Sequence, residues 1–95
     1  MPYIKAVSRT YLDERIEQLQ PVNEGELNYV ITRLIMQFMK RHGINYATMN
    51  IIAGVLQKVM AEFDRRVVGP YEDRKIALNG DVPEYEEFTK CLPPK

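Results

Sequence analysis

The sequence predicts an all-α protein: a small helical bundle of three main helices, a short fourth helix and a C-terminal arm. Apolar residues recur three and four positions apart through two long stretches, 27–39 and 51–67. Helix-start and helix-stop residues bracket the first of these, with Asn23 before it and Gly43 after it. No stretch shows the strict apolar–polar alternation of a half-buried strand.

The elements follow in order. Ser8 is the expected N-cap of a first helix through SRTYLDERIEQLQ, in which Leu12, Ile16 and Leu19 form one apolar stripe and Pro21 ends the run. Asn23 with Glu26 three positions later reads as a capping box. The second helix then carries Leu27, Val30, Ile31, Leu34, Ile35, Phe38 and Met39 at helical spacing. Gly43 stops it, and Lys40, Arg41 and His42 suit the negative end of the helix dipole. Its apolar face is wide, widened further by Tyr29 and Met36, as expected of a helix buried on more than one side.

Asn45 is placed to cap a third helix, whose apolar run Ile51, Ile52, Val55, Leu56, Val59, Phe63 and Val67 reaches Val68. Phe38 and Phe63 are the largest expected core residues. Gly69-Pro70 should then break or kink the chain, because proline clashes with the preceding turn unless it opens a new helix. PYEDRKIAL fits such a restart, with Glu72 and Asp73 at the positive end of the dipole and Asn79-Gly80 as the stop. Residues 1–82 thus form one helical domain, and 83–95 an acidic, Pro-containing arm expected to pack in part through Tyr85 and Phe88.

The chain has 95 residues, the length of one domain with a modest core, for which oligomerisation is a common remedy. Its 13 basic residues balance 13 acidic ones, so it lacks the overall bias of a nucleic-acid binder. Cys91 is the single cysteine and His42 the single histidine, which leaves no intrachain disulfide and no ordinary zinc site unless several subunits each donate a ligand. No metal and no cofactor is expected. No apolar run approaches the roughly 20 residues of a membrane span, and MPYIKAVSRT lacks the apolar core of a signal peptide. The cytoplasm is the expected compartment.

Catalytic constellations are incomplete. A small helical nucleotide hydrolase needs carboxylates on facing helices to hold magnesium. Glu14 and Glu17 supply half of such a site, but Glu62 and Asp64 are two apart and diverge, as do the adjacent Glu72 and Asp73. Nothing in the sequence brings Cys91 to His42, and no glycine-rich phosphate loop is present. The helix after Gly43 is the one candidate recognition helix for DNA, and its polar residues Asn45, Thr48, Asn50, Gln57 and Lys58 are only weakly basic.

What remains is a basic group. Arg65, Arg66, Arg74 and Lys75 flank the Gly-Pro step, and a kink there would let some of them converge on a phosphate-bearing ligand, with Tyr71 stacking or donating its hydroxyl. The competing reading is that Glu62, Asp64, Glu72 and Asp73 neutralise these bases on the surface. Lys40, Arg41 and His42 form a second basic cluster with the same ambiguity.

GELNYVITRLI (25–35), RRVVGPYEDRKIALNGDV (65–82) and the MPYIK start together resemble a family of short proteins encoded by bacteriophages and prophages, without a defined function. The resemblance runs from Met1 to Val82 and is most specific in PYEDRKI followed by NGDV. It implies an accessory protein expressed in the bacterial host cytoplasm and supplies no catalytic residue. Residues and resemblance together lead to the expectation of a non-enzymatic helical homo-oligomer that engages a host protein. A sequestering protein for a phosphorylated small molecule, such as a nucleotide defence signal, is the alternative. A DNA-binding regulator and a nucleotide hydrolase rank below both.

Overall fold

Local capping chemistry sets the helix boundaries across residues 4–93, which the computed structural model describes. Met1–Tyr3 of the MPYIK start and the last two residues of the C-terminal arm lie outside them. The described residues form α1 (Ala6–Ile16), α2 (Glu24–His42), α3 (Tyr46–Phe63), a π-helical segment (Asp64–Val68), α4 (Gly69–Asn79) and α5 (Pro83–Lys90), with no strand among them.

The first helix differs from expectation at both ends. Lys5, in extended conformation, precedes α1 without a side-chain cap, and Ser8 lies inside the first turn. The Arg9 N–H already reaches the Lys5 carbonyl at 3.1 Å, so the backbone begins its ladder before the serine could cap it. Leu19 falls beyond the C-terminus, in a turn whose N–H reaches the Ile16 carbonyl at 2.9 Å. Near that end the Arg15 guanidinium lies 3.6 Å from the centre of the Tyr11 ring, and its Nη1 donates to the Tyr11 carbonyl at 2.9 Å.

Asn23 caps α2 as its position predicts. The Glu26 N–H donates to Asn23 Oδ1 at 2.9 Å. The Glu26 carboxylate reaches back and accepts from the Val22 N–H and the Asn23 amide, each at 3.2 Å. The return bond thus goes one residue further than in the usual box. Asn23→Ala should lower stability by about 1 kcal/mol. Denaturant unfolding reads this directly, and an unshifted midpoint would refute the cap.

Gly43 ends α2 with φ 116° and ψ 142°, its N–H on the Met39 carbonyl at 2.8 Å. Asn45 caps α3: its Oδ1 accepts from the Thr48 N–H at 2.9 Å. At Gly54, in mid-helix, a Cβ would meet nothing within 4 Å.

At Gly69-Pro70 a new helix begins with Pro70 near its start, as expected, but the backbone does not break before it. Proline has no N–H and its ring crowds the carbonyl four residues back. The chain answers by widening one turn: the Gly69 N–H bonds the Asp64 carbonyl, five residues away, and Pro70 then sits in the first turn of α4. Val68 and Gly69 both keep right-handed helical dihedrals, so the backbone remains helical across the junction. Position 69 is tight, because a Cβ there would lie 3.0 Å from the Asp64 carbonyl oxygen. Gly80, with φ 83°, stops α4 as predicted. The arm forms α5, yet Tyr85 and Phe88 remain 65% and 63% exposed rather than packed.

Contacts divide the chain into two units, Met1–Lys58 and Val59–Lys95. In the first, α2 and α3 turn their apolar faces towards a common groove, but their backbones do not close to within 8 Å. In the second, the π segment and α4 adjoin each other as consecutive turns. The all-α class holds; the expected core is not found among the described residues. Among the described residues no apolar side chain is buried, and Thr48, at 4% exposure, is the one buried residue. Phe38 and Phe63, expected in the core, are 39% and 53% exposed. The apolar stripes exist, and α2 and α3 do not pack closely on each other.

Candidate functional site

The basic group sits along one helical stretch. Arg65 and Arg66 lie in the π segment, and both guanidinium groups turn to Glu62, one turn earlier, at 3.8 and 3.9 Å. These contacts are long and involve exposed arginines, so each contributes little to stability. Tyr71 and Lys75 are four apart on α4 and share a face; the ammonium lies 5.5 Å from the ring centre, within cation–π range. Arg74 adjoins Lys75 and is exposed.

Because the junction stays helical, Arg65 and Arg74 are separated along it by roughly 13 Å, nine residues at about 1.5 Å each. Glu62 gathers two of the five predicted residues, and the Tyr71 ring brings Lys75 to a third. Neither contact joins the first group to the second. Glu62 could be read from the sequence as a neutralising neighbour. The widened turn that keeps the groups apart could not, since Gly-Pro permits either a break or a π turn.

A second feature is apolar. Leu34, Ile35 and Phe38 of α2 face Ile51, Ile52, Val55 and Leu56 of α3 across a groove of about 190 Å³. It carries no charged lining residue. At its α2 side the Phe38 ring stacks obliquely on His42, with centroids 4.2 Å apart. The loop between Gly43 and Asn45 joins the two walls, so the two caps that end α2 and begin α3 also position the groove. A larger depression of about 560 Å³ is lined by Glu24, Gly25, Asn28, Tyr29, Thr32 and Arg33. All of these belong to α2, so it is an open helix face without a second wall, where Arg33 Nη1 donates to the Tyr29 hydroxyl at 3.0 Å.

The groove is the better candidate for function, because an open apolar surface lowers its free energy when something covers it. Periodicity had marked all seven of its residues as buried. Nothing in the periodicity says that the two faces stand apart.

Among the described residues no group of three or more His, Cys, Asp or Glu side chains gathers as metal ligands would, and Cys91 is exposed as a free thiol. None of the described helices is long and apolar enough to cross a membrane.

No curated protein matches the chain, and no solved structure does. A family model described as Domain of unknown function (DUF6899) matches residues 1–82, which leaves α5 outside the match. With 82 of 95 residues covered, the chain belongs to that family.

Proposed function

We propose that this protein is a non-enzymatic binding protein that works as a small helical homo-oligomer and engages a host protein, in the cytoplasm of a bacterium carrying a phage or prophage. The single observation that supports assembly most strongly is the absence of any buried apolar side chain among the described residues. A chain without a core gains too little from burial to offset the entropy of ordering itself. A second surface must supply the difference. The phage setting rests on the resemblance carried by GELNYVITRLI and PYEDRKI with NGDV.

Native mass measurement tests assembly: the expected value is a multiple of 11.1 kDa. Thermal unfolding should also move to higher temperature as protein concentration rises, since folding and association are linked. A monomer whose midpoint does not vary with concentration refutes the oligomer.

Binding is tested by incubating the tagged protein with bacterial lysate and identifying what co-purifies. A host protein recovered in fixed ratio to the oligomer supports the reading. A phosphate-bearing small molecule would turn it to the sequestering alternative, for which Arg65, Arg66, Tyr71, Arg74 and Lys75 are the residues to substitute. Turnover of a nucleotide, abolished by one side-chain change, would overturn it.

A further inference from the structure

We propose that the α2–α3 groove is covered by the same groove of a second copy, with α2 running antiparallel to the partner's α2. This rests on the reading of the chain as a homo-oligomer and adds the surface and its orientation.

Chemistry favours a second copy. The groove lining is wholly apolar, and the chain carries no net charge to oppose its own approach. A second copy is also present wherever the first is made, as an uncovered groove requires.

Charge supplies the orientation. Leu27, Ile31, Leu34 and Phe38 follow one another at steps of four, three and four, the spacing of a helix–helix seam. Each is at least partly open to solvent in the single chain. The same spacing continues to Glu24 three residues before Leu27 and to Arg41 three residues after Phe38. The seam is therefore apolar in the middle, acidic at the first turn of α2 and basic at the last. An antiparallel pair sets Arg41 of each copy against Glu24 of the other, twice by symmetry. It also aligns the helix dipoles head to tail. In that register Ile31 meets Leu34 and Leu27 meets Phe38, so apolar side chains oppose one another along the middle of the seam. A parallel pair would instead place Glu24 against Glu24 and Arg41 against Arg41.

Charge exchange tests the proposal, read as the dimer dissociation constant by sedimentation equilibrium over a dilution series. Glu24→Lys and Arg41→Glu should each weaken the dimer by about 10- to 100-fold, since two attractive pairs become repulsive. The double variant Glu24→Lys/Arg41→Glu should return to near the wild-type constant, although it retains both unfavourable helix-end charges. At about 1 M salt the single variants should converge on the wild type. Circular dichroism confirms that each variant keeps its helices. A double variant as weak as the singles overturns the antiparallel seam. Single variants with an unchanged constant overturn it too, and both results leave the oligomer reading standing. A wild-type chain that is monomeric at every concentration overturns both.

Discussion

Phe38→Ala is expected to destabilise the assembled protein by about 3–5 kcal/mol. The ring lines the α2–α3 groove beside Leu34 and Ile35 and faces Ile51 and Val55 across it. In the single chain it is 39% exposed, so part of the loss depends on what covers the groove. Covered, the site cannot refill the space of an aromatic ring, and the lost transfer energy and the cavity add. Denaturant unfolding at high protein concentration measures the full loss. A cost below about 1 kcal/mol would show that Phe38 stays in water even in the assembly, and the groove would then not be the seam.

Gly43→Ala should be nearly as damaging through a different mechanism, with an expected loss of about 2–4 kcal/mol. The backbone at Gly43 has φ 116°, which side-chain-bearing residues rarely adopt. A Cβ there would also lie 2.7 Å from Asn45 Nδ2. The same Asn45 side chain caps α3 through the Thr48 N–H, so moving it aside loses that bond. Strain and lost cap therefore add. Asn45→Ala serves as the control: it removes the cap alone and should cost about 1 kcal/mol. If the two variants unfold at the same midpoint, the backbone at Gly43 relaxes freely and the strain argument fails.

The two changes act on different links between sequence and structure, and the difference explains what could be read in advance. Asn23, Asn45 and Gly80 act on backbone groups within a few residues of themselves. Their caps and stops were legible because the partners are adjacent in the chain. Ser8 was the expected cap of the first helix, a weaker signal than Asn23, but the helix starts at Ala6, where the backbone gains its bonds earlier. The Gly69-Pro70 step was legible as a helix restart with Pro70 in its first turn, and not as the widened turn that carries the backbone into it. Proline forbids one hydrogen bond, and both a break and a five-residue turn satisfy that prohibition. The candidate basic site depended on this choice: with the turn, Arg65 and Arg66 stay on Glu62, and Lys75 stays over Tyr71.

The sequence by itself determined an all-helical chain, most of its caps and stops, and which apolar residues share a face. These follow from the helical repeat and from interactions three to five residues long. Only the tertiary structure decided that the faces of α2 and α3 open onto a groove and leave no apolar side chain buried among the described residues. Periodicity states which side chains lie together on a helix. It does not state what lies opposite them, because that depends on residues distant in sequence, or on another molecule.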